Sequence, residues 1–329
     1  RESRSIIARV RQHPCLALWS GGNELFNAWS GMTDQSLALR LLGSNCLDLD
    51  PGTPFLPTAP LFGMGHGDYR FRDERGREIH EIFQSASNTA YTEFGCPAPA
   101  GAEELRRFIP AGELWPPRPG TAWEVHHAFG AWEADPGSWL FLATIERYFG
   151  PCASLEELSE RGSWLQCAGY QAVFEEARRQ KPRCSMALNW CFNEAWPTAA
   201  GNALVSWPAT PKPSLEAARL ACRPVLASAR IRRFQWRQGE TLEAELWILN
   251  DSQEAVPPGV VSAVLASGGK ESHLGSWSHP GAPAGTNLRG PVVSGKVQGG
   301  GPEIELRLRA GPSGGWDSAY RLSLAPADT

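Results

Sequence analysis

Two hydrophobic periods divide the chain. Over roughly the first 220 residues, short apolar runs alternate with stretches whose apolar positions recur at helical spacing. Ile6, Ile7 and Val10 predict a helix over Ser5–Gln12, which His13-Pro14 ends. Cys15–Trp19 then reads as a strand. A second helix is expected over Asp34–Leu42, with Leu37, Leu39, Leu41 and Leu42 apolar. Asp50-Pro51-Gly52 is a turn, and Pro54–Pro57 is extended. The glycine-rich Gly63–Phe71 carries another short strand, Glu78–Ser85 reads as helix, and Thr89–Gly95 is the next strand.

A tryptophan- and proline-rich insertion follows from Pro97 to Gly137. Ser154 opens the clearest helix, because Glu157 completes an S-x-x-E capping box. Leu158, Leu165, Ala168, Ala172 and Val173 fall near one face; Arg178, Arg179 and Lys181 suit the C-terminal end, and Pro182 stops it. Cys184–Trp196 is strand-like, and a last helix is expected over Ser214–Cys222. This alternation predicts a parallel α/β domain over residues 1–223. Beyond Pro224 the period changes to two. Thr241–Leu249 puts Leu242, Ala244, Leu246 and Ile248 on one face, Glu303–Arg309 does so with Ile304, Leu306 and Leu308, and Tyr320–Leu324 alternates too. Turns rich in Gly, Pro and Ser separate these runs, so residues 224–329 are expected to form an all-β sandwich.

Composition narrows the class. A formal net charge of -4 over 329 residues carries no nucleic-acid footprint and no polybasic membrane patch. No apolar run approaches the roughly 20 residues that span a bilayer. Neither nucleic acid nor membrane is therefore an expected partner. The eight cysteines show no CxxC spacing and read as free thiols, several of them buried, as Cys15, Cys184 and Cys191 would be in their apolar runs. The opening Arg1 to Gln12 looks like a helix already under way, so the chain reads as a fragment; localisation and oligomeric state stay open.

The candidate chemistry lies at the ends of two strand-like runs. Leu16-Ala17-Leu18-Trp19-Ser20-Gly21-Gly22-Asn23-Glu24 and Thr89-Ala90-Tyr91-Thr92-Glu93-Phe94-Gly95 each deliver a glutamate where the run ends in a glycine-containing turn. Two carboxyl groups at one end of a parallel sheet are what glycosidic cleavage requires, one as proton donor and one as nucleophile or base. The competing reading of Asn23-Glu24 is a turn followed by the first acid of a helix. Fourteen tryptophans add a second hint, since sugar rings stack their CH faces on aromatic surfaces; any single one is more often a core filler.

These runs, with Asp48-Leu49-Asp50-Pro51-Gly52-Thr53-Pro54-Phe55-Leu56-Pro57 and Asn189-Trp190-Cys191-Phe192-Asn193-Glu194-Ala195-Trp196-Pro197, resemble glycoside hydrolase family 2, in its β-mannosidase and exo-β-glucosaminidase-like branch. The resemblance spans roughly residues 5 to 224 and implies the second half of a (β/α)8 TIM barrel, strands four to eight, followed by an immunoglobulin-like domain. It implies a retaining exo-β-glycosidase with Glu24 as general acid/base and Glu93 as nucleophile, their carboxyls about 5–5.5 Å apart. Glu24 would need an apolar wall or its negative partner to stay protonated. Asn23 would donate to the sugar 2-hydroxyl, and Trp190 would form the platform beneath the ring. Asn193, Glu194 and Trp196 would line the same mouth, Glu194 reading equally as a salt-bridged structural acid.

His66, Asp68 and Tyr69 occupy the stretch where relatives show Gly-Asp-x-His. Arg70 stands in the histidine's place, which leaves Asp68 as the candidate sugar contact. Trp123, His126 and His127 would cap the pocket or belong to a solvated loop. The expected partner is a glycoside or oligosaccharide, β-mannoside first, then β-galactoside or β-glucosaminide; a uronate is less favoured because no Asn-x-Lys stretch is present. The chemistry calls for no cofactor and no metal. A catalytically inactive carbohydrate-binding fragment is the alternative of a different class.

Overall fold

The computed structural model describes residues 1–130, 139–298 and 301–325. Five short parallel strands organise the first two thirds. Trp19–Ser20 pairs with Phe55–Leu56, and Gly65–His66, Tyr91–Phe94 and Ala187–Asn189 form a second parallel set in that order. The helices Leu37–Leu49, Ile79–Ser85 and Leu155–Arg179 sit in the crossovers, as parallel pairing demands. Among the described residues these strands do not close into a barrel.

The strands are shorter than the apolar runs that announce them. Only Trp19–Ser20 of the Cys15–Trp19 region is strand, since Leu16 N already donates to His13 O in a turn, and Cys15 is exposed rather than buried. Ladder pairing in the Cys184–Trp196 run covers Ala187–Asn189 alone. The second helix is displaced to Leu37–Leu49, and Leu37, Leu41 and Leu47 stand in solvent rather than in a core. The Pro97–Gly137 insertion is partly structured: Ala98–Pro99 pairs with Ala200–Gly201, and helices form at Ala102–Phe108 and Ala122–Val125. Its last residues, 131–138, lie outside the described ones. A further helix, Leu142–Phe149, has no counterpart in the sequence reading.

The long helix Leu155–Arg179 is the spine of the molecule. Ser154 accepts from Glu157 N at 3.2 Å, while the Glu157 carboxylate takes Ala153 N at 3.0 Å, so the cap is closed from both sides. One flank packs on the parallel strands through Tyr170 and Phe174 against Phe94. The other meets the C-terminal sheets.

After the helix Pro213–Ala221, every described element but one short 3-10 turn is a strand. Val225–Arg230, Thr241–Asn250 and Leu288–Lys296 make an antiparallel sheet. Gln235–Trp236, Ser318–Leu324, Glu303–Arg309, Gly259–Ser267 and Lys270–His279 make a second, in that spatial order. Leu242, Ala244, Leu246 and Ile248 of one sheet and Ile304, Leu306 and Leu308 of the other are buried in a common core. Phe234 joins this region to the first. Its ring stands edge-on to Phe71 at 5.4 Å, Tyr148 at 5.6 Å and Trp164 at 5.4 Å, giving one aromatic cluster across the junction.

Candidate functional site

Glu24 and Glu93 converge from separate strands. Gly21 lets the end of the first strand lie close against its neighbours: a Cβ there would lie 2.5 Å from Pro57 O and 2.9 Å from the Leu39 side chain. The chain continues in parallel register through Asn23 and Ala59, and Glu24 N donates to Ala59 O at 2.7 Å. Glu24 itself takes φ +54°, a conformation that non-glycine residues rarely adopt and that this hydrogen bond helps to hold. Glu93 comes from the middle of Tyr91–Phe94, where Tyr91 and Phe94 are buried while Thr92 and Glu93 remain partly open. Its register partner on the neighbouring strand is His66.

His66 joins the two carboxylates. Its Nε2 lies 2.9 Å from Glu24 Oε1 and 3.4 Å from Glu93 Oε2. Its Nδ1 is 3.0 Å from Thr92 Oγ1. Tyr69 donates its hydroxyl to Glu93 Oε2 at 2.5 Å. Burial, and then the hydrogen bond and charge of Glu93, hold that phenol far above its ordinary pKa, so it remains a donor at every working pH. Neither His66 nor Tyr69 is among the residues that the sequence singles out as candidates. The frame Gly-Asp-x-His draws attention to position 70, but Arg70 turns to Glu74 and Asp68, and the histidine that reaches the glutamates is upstream.

An aromatic wall stands beside the pair. Trp190 is more than a third exposed, and Trp190 N continues the parallel ladder by donating to Phe94 O at 2.8 Å. Its ring lies 5.7 Å from Tyr69 and 5.7 Å from Trp139, and His127 packs at 5.6 Å from Trp139. Burial and the charges of Glu194 and Glu93 raise the Cys191 thiol above its ordinary pKa.

The remaining candidates are placed as follows. Asn23 is exposed beside Glu24. Asp68 Oδ1 accepts from Arg70 N at 3.0 Å and lies 3.6 Å from its guanidinium. Asn193 is exposed and donates to Glu194 O at 3.2 Å. Glu194 is a structural acid: it is tucked against Gly201 and lies 3.8 Å from the buried Lys212, and burial raises the one group's pKa and lowers the other's. Trp123 does not cap a pocket. It is fully buried and donates to Glu113 O at 3.0 Å. His126 lies 2.7 Å from Pro197 O and stacks on Trp196, so it packs the insertion against the loop after the last parallel strand.

Among the described residues, no group of three or more His, Cys, Asp or Glu side chains is arranged to hold a metal ion. No described helix is long and apolar enough to cross a membrane. Cavities of about 930 and about 1010 Å³ open between the two regions of the molecule, and neither is lined by Glu24 or Glu93. Both carboxylate side chains are part-buried, Glu24 32% and Glu93 19% exposed.

No protein-family model matches the chain. β-Mannosidase B of Aspergillus fumigatus is 22% identical over 293 residues, an alignment covering 78% of this chain and 34% of that protein. A β-D-mannosidase from Dictyoglomus thermophilum superimposes with a TM-score of 0.73 at 19% identity, over 98% of this chain and 40% of that one. The exo-chitosanase CsxA of Amycolatopsis orientalis does so with a TM-score of 0.73 at 17% identity, over 98% and 38%. The fold is that of family 2 glycoside hydrolase domains. The chain spans about a third of the length of the curated relatives it matches. The likeness therefore runs along nearly all of this chain and along a minority of each relative.

Proposed function

We propose that this chain is the catalytic part of a retaining exo-β-glycosidase, with a terminal β-mannoside as the best single substrate. In this reading residues 1–223 are strands four to eight of a (β/α)8 barrel, and residues 224–329 are an immunoglobulin-like domain. Five parallel strands in sequential order support the former, and the two antiparallel sheets with a shared core support the latter. Glu24 protonates the leaving oxygen while Glu93 attacks the anomeric carbon. Water then gives its proton to Glu24 and releases the sugar from Glu93.

One observation carries the proposal: a single imidazole nitrogen lies within hydrogen-bonding reach of Glu24 and close to Glu93. Contacts of that length keep the facing oxygens below the about 6.5–9.5 Å gap that an inverting pair needs for its water. Trp190 supplies the apolar face beneath the sugar, Asn23 the contact to its 2-hydroxyl, and Asp68 a polar contact at the rim. The exposed Asn193 lines the mouth.

A β-glucosaminide is the second reading, favoured by the partly exposed Asp68 carboxylate, a ready partner for a substrate ammonium, and by the likeness to an exo-chitosanase. A β-galactoside is the third. The test is hydrolysis of 4-nitrophenyl β-mannoside, β-glucosaminide and β-galactoside by this chain, with 2-fluoro glycosyl fluorides used to trap Glu93. Turnover on one of them, lost in Glu93→Gln, with the trapped sugar mapped to Glu93, is the expected result. Sugar binding with neither turnover nor trapping would leave an inactive carbohydrate-binding fragment.

A further inference from the structure

We infer that His127 is a specificity-determining residue whose imidazole binds a hydroxyl on the side of the sugar opposite the anomeric carbon. This deepens the preceding reading and rests on it for a sugar lying on Trp190. The argument begins with the backbone. Helix Ala122–Val125 ends in a Schellman motif: Ala128 N donates to Trp123 O at 2.8 Å and His127 N to Glu124 O at 3.0 Å. That motif needs a left-handed residue, and His127 takes φ +73°. Glycine fits the position without strain, whereas a side chain there is costly and points to a use for it. The fully buried Trp123, donating to Glu113 O at 3.0 Å, anchors the turn from below. Glu24 shares the left-handed conformation, as does Phe141, two residues beyond Trp139.

The turn sets the imidazole at one end of a row of rings. His127 lies 5.6 Å from Trp139, Trp139 lies 5.7 Å from Trp190, and Trp190 lies 5.7 Å from Tyr69, which donates to Glu93. Glu93 marks the anomeric carbon at the Tyr69 end. Across a pyranose from that carbon stand C4 and the C6 substituent, which places their hydroxyls towards the His127 end. A sugar hydroxyl both donates and accepts, and a neutral imidazole offers one donor and one acceptor in either tautomer. His127 has both to offer: among the described residues neither of its ring nitrogens has a hydrogen-bond partner. Its neighbour His126 is already engaged, 2.7 Å from Pro197 O. Burial alone lowers the pKa of the half-buried His127, with no charge or hydrogen bond of the protein offsetting the lost water, so the ring is neutral at neutral pH.

The test separates hydrogen bonding from packing. His127→Phe keeps a ring against Trp139 and removes both nitrogens. On the aryl glycoside that the chain hydrolyses, its kcat/KM should fall roughly 3- to 10-fold, the worth of one neutral hydrogen bond. On either the 4-deoxy or the 6-deoxy form of that glycoside, the variant and the unaltered chain should be equally fast, because the hydroxyl is already gone. No loss on the intact glycoside, or the same loss on all three, overturns the inference. A second arm needs no turnover. In the Glu93→Gln chain labelled with 13C-histidine, methyl β-mannoside, methyl β-glucosaminide and methyl β-galactoside are titrated in turn. The His127 ring resonance, assigned by its loss in His127→Phe, should shift with at least one of them. His127→Asn, which suits a left-handed backbone, gives the assignment should His127→Phe fail to fold. A resonance unmoved by all three sugars overturns the inference even in an active chain. A shifted resonance in a chain without any glycosidase activity would sink the parent reading and leave His127 as a sugar contact.

Discussion

Tyr69 donates to Glu93 Oε2 at 2.5 Å while its ring stands edge-on to Trp190 at 5.7 Å. One side chain thereby ties the proposed nucleophile to the proposed sugar platform. Tyr69→Phe keeps the ring and its packing and removes only the donor. A hydrogen bond to a charged group contributes about 1.5–3 kcal/mol, so kcat/KM should fall roughly 10- to 100-fold with little change in thermal midpoint. Steady-state kinetics on the aryl glycoside that the chain hydrolyses check this. An unchanged kcat/KM would remove Tyr69 from the site.

Glu24 is expected to matter in proportion to how badly the leaving group needs a proton. Glu24→Ala should lower kcat by about 10²- to 10⁴-fold on a poor leaving group such as a disaccharide, the usual worth of general acid catalysis. With 2,4-dinitrophenolate, which departs without help, the first step should be nearly spared. Azide should then rescue the second step as a glycosyl azide. An equal loss on both substrates would argue that Glu24 positions the sugar instead of protonating the oxygen.

Glu24 and Glu93 could be proposed from the sequence because each closes an apolar run that ends in a glycine-containing turn, a local signal. Their companions were not, because strand register brings His66 opposite Glu93, and register is a property of the pairing. Helix Leu155–Arg179 announced itself through Ser154, Glu157 and Pro182. Leu142–Phe149 did not, since it starts after Phe141 at φ +57° with no side-chain cap. The strand Gly259–Ser267 was similarly silent: Val261, Ala263 and Leu265 face the core, but Val260, Val264 and Ala266 on the other face are apolar too, so only Ser262 marks the period. From its place in the insertion Trp123 was expected to cap the pocket or to belong to a solvated loop, and only its burial reveals a core filler.

The junction of the two regions rests on buried charge. Arg179 lies 3.0 Å from Glu175 and 3.1 Å from Glu176, and all three side chains are almost wholly buried. Glu175 also accepts from Tyr320 at 2.7 Å and from Ser228, while Glu176 accepts from Arg230. Removing one member leaves an uncompensated buried charge, at a cost of about 3–5 kcal/mol. Glu175→Ala should therefore lower the urea midpoint strongly. The double variant Glu175→Leu with Arg179→Leu should recover part of the loss. Additive single losses would mean that the pair is not coupled.

His80 makes stability depend on acid. Burial, and then the positive charge of Arg179, push its pKa down to about 4, below an unfolded value near 6.5. The unfolded chain therefore binds the proton first. The contribution of the neutral, buried ring is fully present above about pH 6.5 and is lost as the pH falls towards 4. The slope of unfolding free energy against pH should steepen by up to about 1.4 kcal/mol per unit across that window. Chemical denaturation at half-unit intervals measures it. His80→Phe, which fills the same apolar space beside Phe71 without a titrating group, should flatten this component. A variant that retains the full slope between pH 6.5 and 4 would assign the effect to other groups.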